Sequence, residues 1–390
     1  MNDRLALTLL QQHGPLSRSQ LREMTGLAQP TVLELVTRLE DAGWITAIGQ
    51  SKTPQRGRRP ILFQLAHGNA FVVAAQVLAD EVTAVAVDVT GARLGEPVRA
   101  SLDPRGPSDQ VAQAVQAAVV AADRSAAPVQ IVVGVPSSVN PRTGEVGFMY
   151  QRPAWTGNVL GSLRRVLDCP LQLVNGAHLV AAAEGAAGAA RGLSNFAVFW
   201  IGPGLGLAQV LNGAPFAGVT GSAGQISYLP VAGSPMLPLT PGSERYRGDL
   251  LGLLGNPALA ALAESHGMIG PDLGAVVRDA YTGGGSATRA FRDELALRVT
   301  TGLAAIAAVC DPGHVLLHGQ VGLAGGEELA RAVTELMSVY SPVPVTVAPG
   351  ELSDRDLPVL EGALVQALAS ARDRLWGGGT PAVPGGTTAG

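Results

Sequence analysis

The sequence has few of the residues that stabilise small extracellular domains or span membranes. It holds two cysteines in 390 residues, Cys169 and Cys310, which lie far apart in the sequence. That excludes a disulfide scaffold and a Cys-rich zinc site. No run reaches the roughly 18 apolar residues that a membrane-spanning helix requires, and the first residues lack the apolar core of a signal peptide. We therefore expect a cytoplasmic protein that has no contact with a membrane.

Charged residues are also scarce, at 15% of the chain, and they are unevenly distributed. Residues 1–65 hold eight basic and five acidic side chains, a formal charge of +3, whereas the rest of the chain carries −7. The hydrophobic fraction of 47% is enough to build sizeable cores, and the length fits two or three domains. A small basic segment before a large acidic one predicts that only the first segment meets a polyanion.

Residues 1–66, here called the head, follow the pattern of a winged helix-turn-helix. A short helix is predicted over Leu5–Gln12. Ser17 and Gln20 have the spacing of a capping box, which starts a second helix, and Gly26 supplies a tight turn. A third helix begins near Gln29, with a proline in its first turn. This order of a cap, a turn and a further helix is typical of DNA-binding domains.

The third helix and the segment after it carry the predicted DNA contacts. Val32, Leu35, Val36 and Leu39 repeat at helical spacing and are expected in the core. Two β-like runs, Trp44–Ile48 and Ile61–Leu65, flank a basic loop that would form the wing. We expect the third helix to lie near base edges and the cations to meet phosphates or the minor groove. The predicted contacts are Gln29, Thr31, Glu34 and Arg38 on bases, and Arg18, Lys52, Arg56, Arg58 and Arg59 on the backbone. The same helices could also form a protein-interaction module with a solvated loop.

Beyond the head, β-like runs alternate with helical ones, which predicts an α/β fold with two lobes. Asn212 and Gly213 have the type I′ hairpin signal. The Gly/Pro-rich residues 377–390 lack apolar content and are expected to form a disordered tail. Strands are predicted over Phe71–Val77, Val82–Val89, Gln130–Val135, Leu171–Val174, Phe196–Ile201 and Ala208–Leu211, and helices over Ser108–Ala122, Ala177–Ala190, Thr288–Val309 and Asp356–Leu375.

Several short motifs in this order resemble those of the ROK family of repressors, open reading frames and kinases. They are Val133–Pro136, Asn140–Gly144, Asn175–His178, Gly202–Gly206, Gly218–Tyr228 and Glu361–Leu364. The resemblance implies a winged helix-turn-helix (α+β) followed by a two-lobed actin-like (ribonuclease-H-like) ATPase fold. It implies an N-lobe over 67–190 and a C-lobe over 191–376, whose last helix returns to the N-lobe. The order of domains, with the winged head first, resembles that of the repressor branch of the family.

The positions that would carry phosphoryl transfer depart from the pattern of the ROK kinases. Gln76 and residues 78–80 stand where those kinases have an Asp-x-Gly-Gly-Thr phosphate loop. The catalytic Asn-Asp pair is replaced by Asn175 and Gly176, so no carboxylate is available to accept a hydroxyl proton. Pro203 removes an N–H from the second phosphate loop. We therefore predict that the chain is not an enzyme and has no catalytic residues.

The metal and sugar positions of the family are also altered. Residues 224–242 contain no cysteine, so we predict no metal site and no cofactor. His178 is expected near the cleft, and His314 and His318 are expected to flank a strand. All three are expected to be hydrogen-bonded structural residues. Amides, hydroxyls and an aromatic ring still suit a sugar-like effector. The predicted effector-binding residues are Ser137, Ser138, Gln151, Asn175, Gln225 and Tyr228. A working pocket with altered specificity and a lost pocket both remain open.

Taken together, these features predict a DNA-binding transcriptional regulator, a repressor with an inactive kinase-like body. It would bind an inverted-repeat operator on double-stranded DNA as a homodimer or tetramer and sense a sugar or related molecule. Activation in place of repression stays open. The alternatives are a sugar kinase with a regulatory head and an effector-independent regulator that acts through a protein partner.

Overall fold

The head is a three-helix domain closed by a small antiparallel sheet. In the computed structural model the described residues are 2–50, 60–66, 68, 70–78, 80–103, 107–124, 126–147, 159–231 and 248–376. The helices of the head are α1 (Asn2–His13), α2 (Arg18–Thr25) and α3 (Gln29–Asp41). The sheet has the order β1-β3-β2, formed by β1 (Leu16–Ser17), β2 (Ile45–Gln50) and β3 (Ile61–Leu65).

Local signals set the start and the end of α2, as predicted, whereas α1 begins at Asn2 instead of the predicted Leu5. The backbone N–H of Gln20 donates to Ser17 Oγ over 3.3 Å, and the N–H of Ser17 donates to Gln20 Oε1 over 2.9 Å, which completes the capping box. Gly26 has a φ of 70°, the left-handed conformation that ends α2. The four predicted core residues of α3 are all buried. The head therefore folds along its predicted pattern.

The first lobe of the body is built on a five-stranded mixed sheet of order β6-β5-β4-β7-β8. Strands β4, β7 and β8 run parallel, and β4 forms an antiparallel hairpin with β5. The helices α4 (Pro107–Ala121) and α5 (Val159–Arg164) belong to this lobe. Its strands are β4 (Phe71–Val77), β5 (Glu81–Asp88), β6 (Val98–Ser101), β7 (Gln130–Val135) and β8 (Leu171–Asn175).

The second lobe has a five-stranded sheet of order β11-β10-β9-β12-β13, and its described residues form five α-helices. Asn212 and Gly213 both have positive φ, at 51° and 78°, as the predicted type I′ hairpin between β10 and β11 requires. The strands are β9 (Phe196–Ile201), β10 (Leu205–Leu211), β11 (Ala214–Pro215), β12 (His314–His318) and β13 (Thr346–Pro349). The helices are α7 (Leu250–Leu254), α8 (Asn256–Ser265), α9 (Leu273–Thr282), α10 (Ser286–Cys310) and α11 (Gly319–Tyr340).

Two helices join the lobes and cross closely. They are α6 (Gly176–Ala187) and α12 (Pro358–Trp376), and a core of small and β-branched side chains lies around them. At the crossing, a Cβ on Gly362 would lie 1.8 Å from the Leu179 carbonyl oxygen, so only glycine fits there. The last residue of α12, Trp376, is buried in the core of the head. A single helix therefore connects the centre of the body to the head.

The structure corrects several predicted boundaries. Strand β10 begins at Leu205 instead of Ala208. Helix α6 ends at Ala187 instead of Ala190, because the Glu184 side chain accepts a hydrogen bond from the turn that follows it. The elements β1, β6, α5, α7–α9, α11 and β13 were not predicted. Among the described residues, no helix combines the length and apolarity needed to cross a bilayer. The predicted wing cations Lys52, Arg56, Arg58 and Arg59, the residue Gln151 and the tail 377–390 lie outside the described residues.

Candidate functional site

The outward face of α3 is the first candidate surface. Gln29, Glu34 and Arg38 are exposed and Thr31 is half-buried, as the helical pattern predicted. Leu33 also lies on this surface with 49% of its area exposed, and sequence analysis did not single it out. Its exposure could have been predicted from the buried Val32 before it. Successive helical residues are about 100° apart, so the residue after Val32 is turned away from the core. An apolar side chain here suits contact with a thymine methyl group.

Arg38 is held by an ion pair within the head. Its Nε donates to Asp3 Oδ2 over 3.1 Å, and its Nη2 makes a second contact with the same carboxylate. The hydrogen bond and charge of Asp3 raise the pKa of Arg38, with a smaller contribution from Glu34. The pair joins α1 to α3. Arg38 would therefore have to exchange Asp3 for any base or phosphate that it contacts.

Arg18 lies at the start of α2, against the sheet. Its guanidinium carbon is 5.0 Å from the centre of the Phe63 ring, a cation–π distance, and its Nε has no hydrogen-bond partner in the described part of the chain. This packing fixes the group while leaving its terminal nitrogens available for an anion. The positive charge of Arg18 is important for binding an anion, because α3 itself carries the acidic residues Glu34, Glu40 and Asp41.

Three residues predicted to bind an effector meet at the carboxyl ends of β7 and β8. Asn175 Nδ2 donates to the Ser137 carbonyl over 2.9 Å, and Asn175 Oδ1 accepts the Ala177 N–H over 2.8 Å, which caps α6. The Ser137 hydroxyl donates to the Gly147 carbonyl, and Ser138 is buried beside the same glycine. Both serines and Asn175 therefore already hold the loop after β7 in place.

Gln225 and Tyr228 lie on the loop that follows β11, on the other lobe. A 3₁₀ turn covers Ile226–Tyr228, and the Ser227 hydroxyl donates to the Leu205 carbonyl. Gly221 abuts the N-lobe loop so closely that a Cβ there would lie 1.8 Å from the Val139 carbonyl oxygen. The two loops that carry the predicted residues therefore touch across the lobes.

The altered kinase positions have structural roles in this chain. Gln76 is buried, and its Oε1 accepts the Leu360 N–H over 3.2 Å in the first turn of α12. Gly202 and Gly204 form the tight turn between β9 and β10. Gly176 starts α6 beside Val135 and Val359. Over the described residues, no group of three or more His, Cys, Asp and Glu side chains has the geometry of a metal site.

A fully buried acid–imidazole pair connects α6 to the second lobe. The Gly319 N–H donates to His318 Nδ1, so the imidazole proton is on Nε2 and is donated to Glu184 Oε1 over 3.2 Å. The N–H groups of Leu352 and Ala189 also donate to Glu184. Burial raises the pKa of Glu184, but these hydrogen bonds outweigh it and leave that pKa below its usual range. His318 is thus the hydrogen-bonded structural residue that was predicted, whereas the same prediction was wrong for His178, whose ring makes no hydrogen bond within the described part of the chain.

Comparison with known proteins matches both parts of the chain. The profile described as "ROK family" matches residues 68–365, and the profile described as "Winged helix-turn-helix DNA-binding" matches residues 2–46. The xylose repressor of Bacillus subtilis is 24% identical over 234 residues, which is 59% of this chain. The aligned region spans only 60% of that repressor's length.

Two solved structures share the fold. A ROK family transcriptional regulator, described as a homologue of the Escherichia coli MLC protein, superimposes with a TM-score of 0.73 at 18% identity and covers 96% of this chain and 98% of its own. A ROK hexokinase from Thermus thermophilus gives a TM-score of 0.62 at 23% identity and covers 78% of this chain and 99% of its own. The first likeness includes the head, whereas the second covers a smaller share of the chain.

Proposed function

The chain belongs to the ROK family, and from that premise we propose that it is a DNA-binding transcriptional regulator that acts as a repressor. The observation that carries the proposal is a winged helix-turn-helix head whose α3 face is exposed, fused to a ROK body. In this reading α3 enters a major groove, and Arg18 and the wing cations contact the backbone. The xylose repressor, with a similar sequence, supports the same reading.

The proposed operator is an inverted repeat read by two heads of a homodimer or tetramer. A two-fold symmetric protein places two α3 helices in equivalent half-sites, whose spacing follows the separation of the heads. The proposed effector is a sugar or a related molecule in the cleft of Ser137, Ser138, Gln151, Asn175, Gln225 and Tyr228. The predicted boundaries at residues 66, 190 and 376 divide the chain into the head and two lobes. We place this regulator in the cytoplasm.

The proposed role of the body is sensing without phosphoryl transfer. A sugar kinase needs a carboxylate to accept the proton of the sugar hydroxyl, and Gly176 stands at that position. Gln76 is committed to the first turn of α12. Effector binding would instead close the lobes and change the population of DNA-binding arrangements.

Selection of bound duplexes from random DNA tests the regulatory proposal. The full chain should enrich an inverted repeat, and a sugar library added during selection should change the yield of that sequence. Affinity for the selected duplex should fall steeply with salt, with a slope in log–log form of about −0.9 for each phosphate contacted. Enrichment of no sequence, with no duplex affinity at low salt, would contradict the proposal and favour a protein-binding role.

An ATP-consumption assay tests the sensing role of the body. The full chain is incubated with ATP, Mg²⁺ and a panel of hexoses and amino sugars, with an active ROK hexokinase as the positive control. We expect no turnover above background. Phosphorylation of any sugar at a rate typical of enzymes, about 1 s⁻¹ or more, would show that the body is catalytic.

A further inference from the structure

A cavity of about 650 Å³ lies beside the predicted effector residues and is largely separate from them. It is bounded by β8, α6, the β10–β11 hairpin and α12. Asn175 is the one member of the predicted effector set among the described residues that line it. Its volume is within the range of roughly 300–1,000 Å³ that is usual for small-molecule sites. The cavity therefore has the size of a ligand site that the sequence did not indicate.

The walls of the cavity are mainly apolar and small. Ala182 and Ala186 on α6 face Phe196 and Val210 of the second sheet, and α12 closes the side with Val365. The polar side chains of the described lining are few, namely Gln172, Asn175, His178 and Gln366. They are outnumbered by apolar ones, whereas each hydroxyl group of a sugar needs a hydrogen-bond partner when it leaves water. Such walls favour an apolar occupant.

Among the polar side chains that line the cavity, His178 is the buried one that lacks a hydrogen-bond partner within the described residues. His178 is 6% exposed and lines the cavity, and its ring makes no hydrogen bond with the rest of the described chain. Burial lowers the pKa of His178, so the imidazole is neutral near pH 7 and offers one donor and one acceptor. Buried polar groups are usually hydrogen-bonded. An unpartnered imidazole that opens into a mainly apolar cavity therefore points to a ligand that supplies the missing bond.

We infer that this cavity binds a small, neutral, mainly apolar molecule that exchanges one hydrogen bond with His178. The site would also report to the head, because the same helix that lines the cavity through Val365, Gln366 and Ala369 ends at Trp376 in the head core. Asp373 of α12 also pairs with Arg4 of α1. Ligand binding in the cavity does not depend on the function proposed above, whereas an effect of that binding on DNA rests on it.

The neutral fluorescent naphthyl ketone prodan is the probe, used with the full chain. It is apolar, carries a carbonyl acceptor for His178 and shifts its emission to the blue in apolar surroundings. We expect saturable binding with a blue shift. Ala182→Leu and Ala186→Leu, which fill the cavity, should each weaken binding at least tenfold, because overpacking removes the space. Ala187→Leu, on the same helix but outside the cavity, is the matched control and should leave binding unchanged.

A second variant tests the hydrogen bond. His178→Phe keeps a ring of similar size and should weaken prodan binding about fivefold, the size expected for a single hydrogen bond. Circular dichroism identifies any variant that fails to fold, and Ala186→Leu, at an exposed position, serves if Ala182→Leu is unfolded.

Three outcomes would overturn the inference. One is the absence of saturable binding, and another is equal loss in the Ala187→Leu control. The third is sedimentation showing that Ala182→Leu dissociates an oligomer, which would make a second copy of the chain the occupant. Prodan binding by a chain that binds no duplex would refute the proposed function and leave the site standing. Duplex binding without prodan binding would do the reverse.

Discussion

The head and the body differ in how they complete their cores. The body has three extended clusters of buried apolar residues, built from two sheets and the helices on them. The core of the head is a single small cluster, and one of its buried members, Trp376, comes from the last helix of the body. Domains of about 60 residues bury a smaller fraction of their surface and are marginally stable. We therefore expect the head to depend on the body for its stability more than the body depends on the head.

The substitution with the largest expected effect on this asymmetry removes the side chain of Trp376, which the body supplies to the core of the head. Trp376→Ala should destabilise the head by about 3–5 kcal/mol, the usual cost of truncating a buried aromatic residue. The same change removes the ring that Arg372 approaches at 5.7 Å. Because the body keeps its own clusters, its unfolding should stay unchanged while duplex binding is lost. Amide hydrogen exchange resolved by segment measures the two parts separately.

The exposed neighbour Arg374 provides the control for this variant. Arg374→Ala should leave hydrogen exchange in the head and duplex binding within error of the original chain. Equal loss of protection in head and body after Trp376→Ala would show that the two parts unfold together, and the proposed asymmetry would then be wrong.

The next test acts inside the body, at the pair that joins the lobes. Glu184→Gln should cost about 1–3 kcal/mol, because one of the buried donors loses its acceptor. The pKa of Glu184 is lowered in the folded chain, so its contribution is present above the ordinary glutamate pKa of 4.5 and is lost as pH falls through the folded value. The variant should therefore lose less stability on acidification than the original chain. Denaturant unfolding at pH 7 and pH 4 measures both effects.

Glu351→Gln is the matched control, since Glu351 is an exposed carboxylate that lies 4.0 Å from Arg191. Its stability should change by less than about 1 kcal/mol at either pH. An unchanged acid sensitivity in Glu184→Gln would mean that other carboxylates set the acid limit of the body.

The wing gives a smaller effect, confined to the head. Arg58→Ala with Arg59→Ala should weaken duplex binding about tenfold on all sequences and reduce the salt slope by about 1.8, if each arginine meets one phosphate. Thermal unfolding of the body should not change. Arg142→Ala with Arg191→Ala, both exposed on the body, is the charge-matched control. If both double variants had the same salt slope, the wing would not contact the phosphates of the DNA.

Local signals explain why the head could be predicted from its sequence in detail. The Ser17–Gln20 box, Gly26 and the proline after Gln29 act within a few residues of themselves. Buried strands were also predictable, because their continuous apolar runs, such as Phe71–Val77, leave little else that the segment can form. In such segments the pattern and the tertiary structure agree.

Elements that depend on distant packing were missed. Helix α11 contains Gly322 and Gly325, and glycine disfavours helix by about 1 kcal/mol per residue. A Cβ on Gly322 would lie 2.6 Å from the Leu317 backbone, so close packing on β12 requires glycine at this position. The same glycine weakens the helical pattern in the sequence, and the helix was therefore not predicted. The cavity beside α6 and the burial of Trp376 in the head likewise arise from contacts between segments far apart in sequence.

The smallest effect tests the ion pair on the face of α3. Asp3→Asn removes the charge that holds Arg38. The side chain of Arg38 is 58% exposed and that of Asp3 is 39% exposed, so the stability of the head should change by less than about 1 kcal/mol. If Arg38 reads DNA, releasing it from Asp3 should strengthen duplex binding by about two- to threefold, since an exposed pair costs little to exchange. Arg38→Ala should then abolish that gain in the double variant. Equal affinity of Asp3→Asn and the original chain would indicate that Arg38 supports the head through α1 and does not contact DNA.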